Sequence, residues 1–161
     1  MFPGTDQPPT SGADGGDQSE PPVGQATGGG CICRAVRYTI DGRLRAVTDC
    51  HCQPCRRFTG HHMAATAVEV RHIIFHGTDT LTWYDSAPGV QYGFCGRCGS
   101  SLFWRAADKP ALLSITAGSL DQPTGLRTNL ALYTAEHGDY HTPEPVPESR
   151  PADRADSPGD G

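Results

Sequence analysis

Lysine is nearly missing from this chain: one, Lys109, stands against twelve arginines. Other absences exclude more. No apolar run approaches the roughly 20 residues that a membrane-spanning helix needs. The first residues carry neither a basic n-region nor an apolar h-region, so no secretory leader is expected. A soluble, cytoplasmic protein is therefore the expectation. No basic stripe of the kind that binds nucleic acid is present. No nucleophile–base arrangement of the serine-hydrolase type and no internal repeat is visible. The cysteine count is seven, an odd number that cannot close a complete set of disulfides, and a reducing compartment favours metal-binding or catalytic roles for clustered thiols.

The ends also lack what a fold requires. Residues 1–26 hold four acids and no base, and residues 138–161 hold six acids and two arginines, both within Pro-, Gly-, Asp- and Ser-rich sequence. Such segments bury too little apolar surface to offset their ordering entropy. Disorder is expected for both, with a short docked segment conceivable near Asp139 and Tyr140. The formal charge of −5 divides into −8 for these ends and +3 for residues 27–137, so the acidity says nothing about the middle.

Between the ends the pattern is β. In "AVRYTI" (35–40), Val36, Tyr38 and Ile40 alternate with Arg37 and Thr39, the period of a half-buried strand. Residues 63–70, 72–76, 80–84, 101–104, 111–116 and 129–134 read as further short strands, many separated by Gly, Asp or Pro breaks. Only "PCRRFTGH" (54–61) suits a turn or two of helix, with Pro54 tolerated at its start. Evenly spaced strands of this kind suggest a sandwich or a partly open barrel.

All seven cysteines fall in this middle region, in three tight clusters. Isolated buried thiols are common in cores, but clustering argues against that reading here. "CGRCG" (95–99) is half of a structural zinc site: two thiolates converge on one ion, and Gly99 permits the positive φ often needed after the second ligand. Cys31 and Cys33 supply the other half, on a segment that Gly28–Gly30 allow to bend. The assignment is a tetrahedral zinc on Cys31, Cys33, Cys95 and Cys98, a staple for a domain with a thin core. Cys50, Cys52 and Cys55 remain. Three protein ligands with an open position are the pattern of a catalytic zinc. Alternatively, His51, His61 or His62 completes this cluster and makes it structural.

"GGGCICRAVRY", "CHCQPCRRFTG", "YDSAPGVQYGFCGRCGSSLFW" and "TAGSLDQP" together resemble the glutathione-dependent formaldehyde-activating enzyme family, also called the GFA or CENP-V domain, over about residues 27–148. The resemblance implies a mainly β, Mss4-like fold of twisted antiparallel sheets stapled by zinc. It also implies a domain at 27–148 between tails at 1–26 and 149–161, and two zincs per chain: Cys31/Cys33/Cys95/Cys98 structural, Cys50/Cys52/Cys55 functional. The implied activity is that of S-(hydroxymethyl)glutathione synthase, a carbon–sulfur lyase joining formaldehyde to glutathione. The family also includes a non-catalytic centromere protein. The sequence departs from the family pattern at Arg34, where glycine is frequent, at Gln91-Tyr92, at Asn129 and at Asp139-Tyr140.

The residues themselves fit thiol chemistry. Three thiolates leave a bound Zn²⁺ with a net charge of −1 and blunt its Lewis acidity, so the site suits holding a fourth thiol as its reactive thiolate. An anionic thiol needs cations, and Arg56 and Arg57 follow Cys55 directly, as candidates to grip a carboxylate. Arg34 and Arg97 read as offsetting the thiolates' charge. Ser86, Gly89 and Asp121 read as turn residues; Trp83, Phe94, Phe103 and Trp104 read as core. The arginine-rich, lysine-poor composition points to a high-GC genome, and some bacteria of that kind use thiols other than glutathione. The partners expected are thus a small thiol and a small aldehyde. The rival reading is a non-catalytic zinc module that carries a thiol or binds a protein.

Overall fold

The computed structural model describes residues 26–152. The disorder expected of residues 1–25 and 153–161 lies outside the described residues. Among the described residues the chain is mainly β, with one α-helix. A small sheet has the order β1 (Thr27–Gly30), β2 (Arg37–Ile40), β5 (Ile73–Gly77). The large sheet begins at one edge with β11 (Glu148–Arg150), β10 (Thr128–Leu132), β3 (Val47–Cys50) and β4 (Met63–Glu69). It continues through β9 (Leu112–Thr116), β8 (Ser101–Ala106), β7 (Val90–Cys95) and β6 (Leu81–Ala87). The helix α1 (Gln53–Thr59) follows β3.

The alternation in "AVRYTI" is realised. Val36, Tyr38 and Ile40 are buried while Arg37 and Thr39 are only partly covered. Their apolar side meets Leu102, Phe103 and Ile115 of the large sheet. Phe103 is the centre of an aromatic group, with ring centroids 5.3 Å from Tyr38, 5.6 Å from Phe75 and 6.1 Å from Trp83. Gly29 is required here, because a Cβ would stand 2.4 Å from the Tyr38 ring. Strand β1 can lie over that ring only without a side chain.

Several expectations change. The two pairings of β10, with β3 and with β11, are parallel, whereas the other ladders are antiparallel. Strands β1, β3 and β11 carry no clear apolar alternation in the sequence, and neither they nor β7, where Val90, Tyr92 and Phe94 do alternate, are among the expected strands. Strand β11 places residues 148–150 beside β10, so part of the segment expected to be disordered belongs to a sheet, and the domain edge expected at 148 falls inside a strand. A one-residue shift in the helix, which begins at Gln53 rather than Pro54, puts Pro54 inside the first turn.

A second, smaller apolar cluster lies away from the first. Cys55, Met63, Ala65 and Tyr92 form it, with Phe58 and Trp104 packed against them. This cluster and strand β3 position the candidate site.

Candidate metal centres

The four sulfurs of Cys31, Cys33, Cys95 and Cys98 lie within 4.8 Å of one another. Two bent hairpin-like turns bring them together. In the first, the Cys31 N–H donates to Val36 O (3.0 Å) and the Arg34 N–H to Cys31 O (3.0 Å). In the second, the Gly99 N–H donates to Cys95 O (2.7 Å) and the Cys95 N–H to Ser100 O (2.9 Å). The residue after the second cysteine takes positive φ in both: Gly99 at 77° and Arg34 at 64°. The frequent glycine at that family position now has a physical reason, and Arg34 occupies the left-handed region at some strain.

The sulfurs are dressed with donors. The Val36 N–H points to Cys31 Sγ (3.2 Å), and Thr80 Oγ1 lies 3.3 Å from Cys95 Sγ. Ser100 Oγ accepts from the Ile32 N–H (3.1 Å), which leaves its own proton for Cys98 Sγ at 3.2 Å. The Ser100 hydroxyl, then backbone N–H groups, pull Cys98 down to about 5. A thiolate is thus the stable form at this corner of the tetrad near neutral pH.

A tetrahedral ion with metal–sulfur bonds of about 2.3 Å has sulfur–sulfur edges of about 3.8 Å. The separations here are 3.5 Å for Cys31–Cys33 and 3.7 Å for Cys33–Cys95. The donor set therefore fits a zinc-sized ion with little movement.

The sulfurs of Cys50, Cys52 and Cys55 form a second group within 4.8 Å, with Cys50–Cys52 at 3.5 Å. Cys50 ends β3, Cys52 caps α1, and Cys55 is buried in its first turn. Cys52 pushes Cys50 up to about 12, and Cys50 and Cys52 push Cys55 up strongly, with burial adding to both. Three thiols this close resist ionising together; a cation among them would reverse that. The Tyr92 hydroxyl stands 3.4 Å from Cys55 Sγ. Burial, then Cys55, raises Tyr92, so the phenol keeps its proton; with the thiol also protonated, either group can donate at this contact.

The two groups differ in what lies beside them. Cys50, Cys52 and Cys55 border a cavity of about 340 Å³, walled by Met63, Tyr92 and Trp104. None of the tetrad's cysteines borders it. Arg45 and Lys109 bring positive charge to the cavity, Asp108 and Glu136 negative. Among the described residues, four buried side-chain polar atoms have no hydrogen-bond partner, and two of them, Arg45 Nε and Thr48 Oγ1, belong to cavity-lining residues.

The arginines expected to grip a carboxylate are elsewhere. Arg56 donates through Nε to His51 O (3.1 Å), Arg57 is exposed, and neither lines the cavity. Adjacency to Cys55 in sequence rotated them about 100° and 200° around the helix. Arg45 and Lys109 are the cations that line the cavity. Trp104 and Ser86, expected as core and turn, both border the cavity. His51, His61 and His62 do not; His51 is buried and held down to about 4 by burial, then by His62 and His141.

The sequence model of the family described as glutathione-dependent formaldehyde-activating enzyme matches residues 26–136. The chain belongs to this family. The match takes in all seven cysteines and both sulfur groups. A crystal structure of a Rhodobacter sphaeroides protein, a structural-genomics target, has a similar fold: TM-score 0.51 at 22% identity, over 63% of this chain and 97% of that one. No curated protein matches the sequence. Among the described residues, no helix is long and apolar enough to cross a membrane.

Proposed function

We propose that this member of the glutathione-dependent formaldehyde-activating family is a carbon–sulfur lyase that adds a low-molecular-weight thiol to formaldehyde or a related small aldehyde. Zinc is held in two places, by Cys31, Cys33, Cys95 and Cys98 as a structural staple and by Cys50, Cys52 and Cys55 as the functional site. The observation that carries this reading is the contrast between the two sulfur groups: only the group of three borders the cavity. Reduced, closely spaced thiols suit a reducing cytoplasm.

When bound at the three cysteines, zinc supplies a fourth position at which a thiol loses its proton near neutral pH. The sulfur lone pair forms a bond to the carbonyl carbon, the C=O π pair moves to oxygen, and that oxygen takes up the equivalent of the proton the thiol lost. The product is the hemithioacetal, the S-hydroxymethyl adduct when the aldehyde is formaldehyde, and the reverse step releases aldehyde and thiol. Tyr92, protonated and facing the sulfurs, hydrogen-bonds the oxygen on which charge develops. Arg45, whose Nε is buried without a partner, and Lys109 bind the thiol's carboxylates; Arg45 stays charged although burial lowers it. Asp108 and Glu136 receive an ammonium group if the thiol carries one. Met63 and Trp104 keep water from the reacting atoms.

The test is exchange NMR of thiol plus formaldehyde against the hydroxymethyl adduct, with and without catalytic protein, using glutathione and a neutral thiol. Faster exchange is expected, with Arg45→Gln losing about tenfold to a hundredfold of it for the anionic thiol and less for the neutral one. Thiol binding without acceleration would instead make the protein a carrier.

A further inference from the structure

Strand β3 has two faces. Thr48, Cys50 and, just beyond the strand, Cys52 line the cavity, so Asp49 and His51 point to the other side. Strand β4 repeats the arrangement: Met63, opposite Cys50 in the ladder, lines the cavity, and His62 precedes it. His51 and His62 therefore meet across the two strands on the face away from the thiols, with ring centroids 5.1 Å apart. His141, in the segment between the 3-10 turn Thr134–Glu136 and β11, comes down on both, 5.9 Å from His51 and 5.6 Å from His62. One ring nitrogen from each of the three lies within 4.8 Å of the others.

We propose that His51, His62 and His141 form a third metal site, distinct from the cysteine groups, that takes a divalent, imidazole-preferring ion such as Zn²⁺. Three observations point there. Three imidazoles are the ligand set that suits zinc and its neighbours in the first transition row. His62 Nδ1 is buried with no hydrogen-bond partner, while its Nε2 stands 3.7 Å from Asp49 Oδ1. A ligating histidine divides its nitrogens in this way, one for the metal and the other toward a carboxylate. Asp49 Oδ1 is itself buried and without a hydrogen-bond partner, so both of the orphaned polar atoms outside the cavity sit at this one spot. His61 packs on His62 and His141, with centroids 4.4 Å from each, but contributes no nitrogen to the group of three.

The site is not part of the family's matched stretch as a whole: His51 and His62 lie inside residues 26–136 and His141 outside. An ion there ties the segment that carries His141 to β3 and β4. That segment continues from Tyr133 and Glu136, which border the thiol cavity on the opposite face. The third site is thus a clip on the cavity's wall.

The test uses the full-length protein equilibrated with Zn²⁺ and freed of excess ion, with metal counted per chain and accessible thiols counted in the same sample. Wild-type protein and His61→Ala should hold one more zinc per chain than His141→Ala and His62→Ala. Thiol accessibility should be equal in all four, since loss of an ion from a cysteine group would unmask thiols and loss from the imidazoles would not. Anomalous diffraction at the zinc edge on wild-type crystals reads the site without any variant. Density with three Zn–N distances of about 2.0–2.1 Å is expected. Equal zinc in wild type and His141→Ala, or no anomalous peak between the three rings, overturns the proposal. The diffraction result stands even if a histidine variant fails to fold.

Discussion

Replacing Tyr92 by phenylalanine removes one oxygen and little else. The ring keeps its packing against Phe58, whose centroid is 4.7 Å away, and Tyr92 is only 4% exposed. The contact to Cys55 Sγ at 3.4 Å is the one hydrogen bond removed. A net contribution of about 1 kcal/mol for a neutral pair, or up to about 3 kcal/mol when the acceptor is a thiolate, sets the stability change. The rate effect is larger if the same hydroxyl meets the oxygen that gains charge, because losing one preorganised donor costs about a hundredfold to a thousandfold in turnover. Tyr92→Phe should therefore melt a few degrees lower, keep its metal, and lose at least about a hundredfold of the thiol–aldehyde acceleration. Exchange NMR, metal analysis and a melting curve on one preparation read all three. An acceleration unchanged within about twofold, with metal and fold intact, would remove Tyr92 from the chemistry.

Cys98→Ala should unfold or aggregate, since a structural zinc site is worth about 10–16 kcal/mol, as much as a small domain's whole stability. Cys52→Ala should stay folded and lack one zinc; identical circular dichroism and melting for the two would refute the division of roles. Arg34→Gly should raise the urea midpoint by the equivalent of about 0.5–1 kcal/mol, the left-handed strain relieved at φ 64° less glycine's extra unfolded entropy, and a lowered midpoint would contradict this. The Arg37 guanidinium, 2.7 Å from Asp121, holds that carboxyl below its ordinary range. The pair's stabilisation is present above about pH 4 and fades as pH falls through the lowered value. Asp121→Asn should narrow its deficit in melting temperature against wild type on acidification, and a deficit that widens would reverse the sign of the argument.

The clusters of cysteines were legible because metal ligation demands short, rigid spacings, and the sequence shows those directly. Strand β2 was legible for a similar reason, since its alternation is a local pattern. Strand β1 was not: beyond Thr27, "TGGG" has no side chains to alternate, and Gly29 lies against the Tyr38 ring. Strand β7 was within reach through the alternation of Val90, Tyr92 and Phe94; what the sequence hides is that it serves two apolar groups at once, Tyr92 in the cavity cluster and Cys95 in the main core. The cavity's cations could not be found by proximity in sequence. Arg45 precedes β3 and Lys109 lies in the turn before β9, and only sheet pairing brings them near Cys55. His141 is a harder case: the acidic, proline-rich composition around it signals no structure, yet the chain returns there to pair β11 with β10.

Strand β3 behaves like a reading frame. Residues 48, 50 and 52 spell one message to the cavity, and 49 and 51 spell another to the opposite side. A substitution edits a single letter, so either side can drift without disturbing the other. An insertion or deletion of one residue exchanges the two messages, turning thiols toward the histidines and a carboxylate toward the cavity. The length of this short stretch is therefore under far tighter constraint than any one side chain outside the cysteines. New substrate preferences on this scaffold should arise by substitution in β3 and by length changes only in the loops around it.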